Sequence, residues 1–382
     1  MEQHLFFFIR WRCNDAMNNE RGVALLVTLS IMAILLAGAF SLHRTVLSHL
    51  VTQRTRLNNA QLEAMIASAR QAAVALLIDD RKKNNIDSVQ DAWADPEVIA
   101  NTLKRLTFET GTLNYFIEDE LGRIQINALV QYPKGRWFKQ HQKELWLRIL
   151  GGFISADKTL FADVEPTTII HSLIDWLDFG DDDAITGLNG AESDYYESLD
   201  PPYTCRNGPL QHISELRWIR GMNETLFEGV EDQPGLRDFL TVHGLPDKNN
   251  IFTFTGKINI NTAPEPVIRA LLPEPYSDLA KAIVDYRDEK SDGQFVNDLS
   301  QRKWYQNVPG MGNVPIDPNL ITQTSHLFRI RMAAEINGQQ KGVMMIIQRK
   351  EVSDGKLGCQ VIRRENDPGA VSLLKQEKQT DE

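Results

Sequence analysis

Arg21-Gly22-Val23-Ala24-Leu25-Leu26-Val27-Thr28-Leu29-Ser30 marks an abrupt junction, and the run from Val23 to Leu42 carries no charged residue. Such a run is about long enough to cross a ~30 Å hydrocarbon core as a helix. A cleaved secretory signal has an apolar region of roughly 7–15 residues and a small-residue cleavage site after it. This run is longer and no such site closes it, so a plain signal anchor is the stronger ordinary alternative. Arg10, Arg12 and Arg21 precede the run, whereas His43 and Arg44 follow it. The basic flank places the N-terminus on the cytoplasmic side and the body of the chain outside the inner membrane.

The helical pattern does not stop with the apolar run. Val46, Leu47, Leu50, Leu57, Leu62, Met65, Ile66, Ala69, Ala73, Leu76 and Leu77 recur at three- and four-residue spacings, with Arg54, Arg56, Asn58, Asn59, Gln61 and Arg70 on the other side. The spacing predicts one helix of some 55 residues, roughly 80 Å long, that leaves the membrane and packs on a sheet. A polar loop is expected over 79–85, a helix over 96–106, and strands over 113–120 and 124–127.

The whole chain contains 51 acidic against 41 basic residues in 382, a net charge of −10. That length provides for two or three folding units. The acidic balance excludes an ordinary nucleic-acid binder, whose phosphate contacts require clustered Lys and Arg. Gly122-Arg-Ile-Gln-Ile-Asn127-Ala128 is similar to Gly256-Lys-Ile-Asn-Ile-Asn261-Thr-Ala263, and Ile213-Ser-Glu-Leu216 to Val296-Asn-Asp-Leu299. The pattern is a twice-used small helical unit, in which each Asn caps a helix. Ser325–Ile336 and Lys341–Lys350 alternate around Asn337-Gly338, which predicts a hairpin. A further strand is expected near 360–364, and a mobile polar tail from Asp367.

Asp175, Asp178, Asp181, Asp182, Asp183, Glu192, Asp194, Glu197 and Asp200 crowd one segment, and no Lys or Arg occurs between Lys158 and Arg206. Like charges at this density repel. Either the segment is a solvated loop, or a hard divalent cation gathers the oxygens. The absence of His and Cys argues against zinc, and the spacing is not that of an EF-hand. Val308-Pro-Gly-Met-Gly312 resembles the hairpin of helix-hairpin-helix modules, but no basic footprint accompanies it. No nucleophile elbow, zinc-protease or Walker motif occurs, and His171-Ser172 beside Asp175 reads as a helix surface. With cleavage after Gly22, Cys13 leaves and Cys205 and Cys359 remain. They either form a disulfide or stay as two buried thiols.

Several segments resemble one family: Asp119-Glu-Leu-Gly-Arg-Ile-Gln-Ile-Asn127, Asp175-Trp-Leu-Asp178, Ala191-Glu-Ser-Asp-Tyr-Tyr196, Pro201-Pro-Tyr203, Ser214-Glu-Leu-Arg217 with Gly221, and Ile258-Asn-Ile-Asn-Thr-Ala-Pro264. Together with a prepilin-peptidase-like Gly22–Val23 junction, they resemble the pseudopilin K family of type II secretion (general secretion pathway protein K) over nearly the whole chain. The resemblance implies an α+β pilin fold, in which a long N-terminal helix packs on an antiparallel sheet, with a large, mainly helical inserted domain. The implied divisions are a leader (1–22), a membrane span (23–42), the pilin helix and first strands (43–130), the insert with two SAM- or helix-hairpin-like units and an acidic calcium loop (131–320), a C-terminal β-hairpin (321–366) and a flexible tail (367–382).

The same resemblance implies structural calcium at Asp175, Asp178, Asp181, Asp183, Glu192, Asp194 and Asn207. It implies minor pseudopilins I and J as direct partners, pseudopilin H and the major pseudopilin G as indirect ones, and no nucleic acid. The expected role is that of a non-catalytic subunit at the pseudopilus tip, which nucleates and caps the assembly for export of folded proteins. Ordinary pilins carry Glu at the fifth mature residue; here that residue is Val27. A carboxylate in lipid costs roughly 2.5–3.5 kcal/mol and is offset by pairing with a neighbour's N-terminus. Val27 needs no such neighbour, which suits a tip position. A minor pilin of a type IV pilus and a membrane-anchored calcium-dependent hydrolase are the competing readings.

Overall fold

The computed structural model describes residues 20–106, 108–132, 135, 137–180, 189–230, 233–246, 252–353 and 355–376. The chain divides into two compact units, residues 1–61 and 62–382. A single helix, α1 (Glu20–Lys83), contributes to both. No proline interrupts it, and it continues into the predicted 79–85 loop to end at Lys83 in a basic last turn, Arg81-Lys82-Lys83, where cations complement the helix dipole.

Within the first unit the apolar side chains from Val23 to Leu42 are exposed, as are Val46, Leu47, Leu50, Val51 and Leu57. The hydroxyls of Thr28 and Ser30 donate to the carbonyls of Leu25 and Leu26 at 2.9 and 2.8 Å. Polar groups in the apolar run thus find partners on their own helix, which is what a lipid setting demands.

In the second unit Leu62, Met65, Ile66, Ala69, Ala73 and Leu77 form one buried stripe on α1. The stripe packs on a four-stranded antiparallel sheet of β1 (Thr112–Asp119), β2 (Leu327–Ile336), β3 (Gln339–Ser353) and β4 (Lys356–Asn366), in that spatial order. Alternate residues of the strands face the helix: Leu113, Tyr115 and Ile117; Phe328, Ile330, Met332, Ala334 and Ile336; Val343, Met345 and Ile347. α2 (Pro96–Leu103) adds Ile99, and Trp93 packs edge-on against Phe328 at 5.4 Å. Asn337 and Gly338 both adopt positive φ, at 50° and 76°, as a type I′ hairpin turn requires.

The topology explains how a large insert is accommodated. β1 ends at Asp119, and Asp119 pairs with Phe328 near the start of β2. The insert therefore leaves and re-enters the sheet at adjacent points, and its length does not strain the register.

The insert has its own core, built by α3 (Gln140–Ala156), α4 (Pro166–Leu177), α5 (Ser193–Glu197), α6 (Glu224–Glu228), α7 (Glu265–Leu271) and α8 (Ala280–Asp288). Trp146, Leu150, Leu173, Phe227, Ile268 and Trp304 lie at its centre. The repeat inferred from sequence is present as a closure device. Ile124-Gln125 pairs in parallel with Leu240-Thr241, and Ile258-Asn259 pairs in parallel with Ile321-Thr322. The two asparagines do not cap helices as expected. Asn127 is fully buried and bridges loops, with Nδ2 donating to Leu210 O and Val242 O and Oδ1 accepting from Leu210 N. Asn261 Oδ1 accepts from Trp304 Nε1 at 2.7 Å. A buried amide can satisfy several backbone groups at once, which a surface cap cannot. Ile213–Trp218 is a 3-10 turn with a reciprocal His212–Glu215 box, whereas its counterpart at 296–299 forms no helix.

Two C-terminal expectations need correction. The expected hairpin and the further strand form a three-stranded meander, β2–β3–β4, but the segment does not join the sheet from 321, because Ile321-Thr322 belongs to the insert's pairing. The tail is not mobile from Asp367. Pro368–Ser372 forms a 3-10 turn followed by α9 (Leu373–Gln376), and Ala370, Leu373 and Leu374 pack on Ala333 of the sheet's outer face. Gly342 makes the close approach feasible, because a Cβ there would meet Asp367 O at 2.0 Å. Arg331 Nε pairs with Asp367 at 2.8 Å and Asn114 Nδ2 donates to Leu373 O at 3.0 Å.

Truncation of Ile66 to Ala should open a cavity between α1 and the sheet. The expected loss is about 2–5 kcal/mol, measured as a shift in the urea midpoint at unchanged slope.

Candidate functional site

Gly22 lies within α1, and a Cβ built on it would meet nothing within 4 Å. The fold places no demand for glycine at this position. Val23 and Val27 are both exposed.

The acidic segment is assembled around the C-terminal end of α4. Asp175 is 1% exposed, and its Oδ2 accepts the Ala191 amide at 2.7 Å. Asp178, 4% exposed, immediately follows the last residue of α4, and its amide donates to Ile174 O at 2.9 Å. Gly208 N donates to Trp176 O at 3.2 Å, and Cys205 Sγ donates to Asp175 O at 3.8 Å. These bonds stitch the end of α4 to the 190–192 and 205–208 segments. They bring Asp175, Asp178, Glu192 and Asn207 onto three adjoining stretches of chain. Glu192 precedes α5 and its carbonyl accepts from Tyr195 N and Tyr196 N. Asn207 holds a left-handed backbone at φ 50°. Asp194 is exposed on α5, and Asp181 and Asp183 lie outside the described residues.

An aromatic stack supports this corner. Trp176 meets Tyr196 at 5.0 Å, Tyr196 meets Tyr203 at 5.2 Å, and Tyr203 meets Trp218 at 5.2 Å. Arg220 lies over the Tyr195 ring at 4.8 Å and donates to Gly190 O at 2.9 Å. The aromatic residues interleaved with the acids in the sequence thus form the packed base of the segment. A buried carboxylate at a helix C-terminus faces the negative end of the helix dipole. The side chains that these segments carry toward the end of α4, Asp178, Glu192 and Asn207, offer only oxygen donors, the type a hard divalent cation takes, and Asp175 is anchored to the backbone beside them.

The cysteines answer the disulfide expectation. Cys205 belongs to the core of the insert, while Cys359 packs against the core beneath the sheet, and the Cys205–Cys359 bridge is not formed. The two residues are separated by the division between cores, which residue parity alone does not reveal.

A second polar assembly, at the junction of sheet and insert, was not anticipated. Asp119 Oδ2 accepts from Asn259 Nδ2 and Thr262 Oγ1, both at 2.7 Å. Glu120, fully buried, takes a two-pronged contact from Arg329 with both distances at 2.8 Å, a hydrogen bond from Thr241 Oγ1, and Arg123 at 3.6 Å. Burial alone would push Glu120 upward, but the guanidinium groups of Arg329 and Arg123 outweigh it and hold the carboxyl down at about 2. Asp119, buried without an equivalent cation, is pushed up to about 6. Next to it, Arg349 lies 2% exposed among Asp80, Asp87 and the Ser325 carbonyl. One signal was available in the sequence. In Val343, Met345, Ile347, Arg349 the alternation of β3 sends an arginine to the inward face.

A long apolar N-terminal helix, continued as the stripe that covers a four-stranded antiparallel sheet, defines a pilin-type protein, here with a helical domain between β1 and β2. One family model for type II secretion system (T2SS), protein K, matches residues 122–232, and a second matches residues 258–314. The chain is 27% identical over 213 residues to type II secretion system protein K of Klebsiella pneumoniae, covering 55% of this chain and 61% of that protein. It is 30% identical over 220 residues to the putative type II secretion system protein K of Escherichia coli K12, covering 56% and 61%. The protein K of Pseudomonas aeruginosa is 26% identical over 291 residues, covering 74% and 78%. The matches thus span about 61% of the first two relatives. The fold is shared with a chain in the crystal structure of the GspK–GspI–GspJ complex of the enterotoxigenic Escherichia coli type 2 secretion system. The TM-score is 0.56 at 17% identity, over 82% of this chain and 99% of that one. The chain is thus similar to the type II secretion system protein K family over residues 122–232 and 258–314.

Replacing Arg329 with Met should strip the buried Glu120 of its two-pronged partner and leave it only Arg123 at 3.6 Å and the Thr241 hydroxyl. The expected cost is about 3–5 kcal/mol at neutral pH. The wild-type contribution lies above the ordinary carboxylate range and is lost as pH falls through about 2. Denaturant unfolding at neutral and acid pH checks both statements.

Proposed function

We propose that this protein is a non-catalytic minor pseudopilin of a type II secretion system, working at the pseudopilus tip. Its single membrane helix sits in the bacterial inner membrane and its folded body lies in the periplasm. The carrying observation is that α1 offers an exposed, uncharged surface from Val23 to Leu42 while its later turns are consumed by the sheet. Among the described residues, this is the one helix long and apolar enough to cross a membrane.

Prepilin peptidase cuts after Gly22, and the new N-terminus at Val23 is methylated. The open space around Gly22 favours this reading, since the glycine serves the processing enzyme rather than the fold. Val27 lets the helix lie in lipid without the carboxylate that would demand a neighbour's ammonium group. The subunit therefore stands above the others, and it joins minor pseudopilins I and J directly and pseudopilin H and the major pseudopilin G through them. The GspK–GspI–GspJ composition of the related complex supports that choice of partners. The subunit nucleates and caps the pseudopilus used to export folded proteins across the outer membrane.

Calcium is the structural cofactor of the acidic segment, held by side chains from the set Asp175, Asp178, Asp181, Asp183, Glu192, Asp194 and Asn207. Bound there, the ion supplies charge compensation at the end of α4, while the chain itself holds the adjoining segments through the Asp175–Ala191 and Trp176–Gly208 bonds.

Gly22→Ala should leave the leader attached and stop secretion; normal processing and secretion by that variant contradict the proposal. For calcium, the test is thermal melting of the purified protein with the ion at about 100 times its dissociation constant and then with chelator, for an expected difference of about 2.7 kcal/mol in stability. Asp178→Asn should shrink that difference. Equal melting with and without calcium removes the ion from the account.

A further inference from the structure

The loop between α1 and α2 joins three parts of the second unit. Asp87 N donates to Gln323 O at 2.9 Å, and Asp87 Oδ2 accepts from Ser325 N at 2.8 Å. Gln90 Nε2 reaches Arg287 O and Asn297 O in the insert at 2.8 and 3.1 Å. Asn259 Nδ2, which also holds Asp119, donates to Asp87 O at 2.9 Å.

The carboxylates of Asp80, Asp87 and Asp91 present oxygens within 4.8 Å of one another at this loop. Arg349 pairs with two of the three, Asp80 and Asp87. Its Nη1 donates to Leu77 O at 3.0 Å and contacts Asp80 Oδ2 at 3.4 Å, and its Nη2 donates to Asp87 Oδ1 and Ser325 O. Asn84 Nδ2 bridges Asp80 and Asp91 at 3.1 and 3.2 Å.

The charges facing the cluster do not balance. From α1 come Asp80 and Arg81, whose Nη1 donates to Asn85 O. The loop supplies Asp87 and Asp91, and β1 supplies Asp119. From β3 comes Arg349, from the residue before β2 His326, and from β4 Cys359. Arg287 of the insert is engaged by Asp288 and Ala263 O. Burial and then the charges of Arg349 and Arg81 hold His326 below its ordinary value, and burial raises the Cys359 thiol to about 11. Four carboxylates thus face two guanidinium groups.

We propose that the carboxylate cluster around Arg349 is a proton-operated clasp, which fastens the 84–91 loop between the sheet and the helical insert and loosens it as the surroundings become alkaline. Burial, followed by Asp91 and Asp87, pushes Asp80 up to about 7, and burial pushes Asp91 to about 6. Carboxyls raised in the folded state contribute stability that is complete below their ordinary value near 3.8. That contribution is lost as pH rises through about 6 to 7. The dependence is opposite in sign to that of Glu120.

Hydrogen exchange of the full chain in detergent micelles, corrected for intrinsic rates, tests the clasp between about pH 5.5 and pH 8. Protection of peptides covering 84–91 should fall with rising pH, by up to about tenfold per pH unit for each proton released. Peptides from the α3 core should stay flat. Asp80→Asn should flatten the response of 84–91, and Asp91→Asn, serving also if the first variant misfolds, should reduce it. A wild-type loop with constant protection, or variants that keep the full wild-type slope, overturns the proposal.

Discussion

The buried contact of Asp119 with Asn259 and Thr262 is the constraint on which the second unit turns. Asp119 is the last residue of β1, so it marks where the chain leaves the pilin sheet. Asn259 lies in the short strand that opens the second repeat of the insert. Their 2.7 Å hydrogen bond ties the exit from the sheet to the middle of the inserted domain. Glu120, the next residue, is tied by Arg329 to the returning strand. Two successive carboxylates therefore fix the insert at both its departure and its return. Buried groups of this kind are costly unless fully partnered, so they enforce one arrangement in place of many.

The two repeats meet at this point. The sequences 122–128 and 256–263, similar to each other and both overlapping segments that resemble the family, pack as one assembly instead of two. Asn127 and Asn261 look equivalent in sequence and differ in use: the first bridges two loops, and the second holds the indole of Trp304. What the copies share is the short parallel pairing that closes each unit.

Much of the architecture was legible because it rests on periodicity. The 3.6-residue stripe of α1, the alternation in β1 to β3 and the Asn337-Gly338 turn each follow from local rules. What escaped depends on contacts far apart in sequence. The helical run was expected to stop at Asp79, yet three basic residues carry it to Lys83. The tail reads as polar, but Ala370, Leu373 and Leu374 find a shallow site beside Ala333 and Gly342 that no local pattern announces. Of the acidic segment, Asp175, Asp178, Glu192 and Asn207 are brought to one corner, Asp194 is exposed on α5, and Asp181 and Asp183 fall outside the described residues. No local pattern sets Asp80, Asp87 and Asp91 apart; what joins them is Arg349 on the inward face of β3, far away in sequence.

The central claim is that the apolar start of α1 is the mature N-terminus of a pseudopilin. Mass spectrometry of the protein recovered from membranes tests it most directly. The account predicts a chain that begins at Val23 with a methylated amine. A protein that retains residues 1–22 is signal-anchored, and that result contradicts both the processing and the meaning given to Val27.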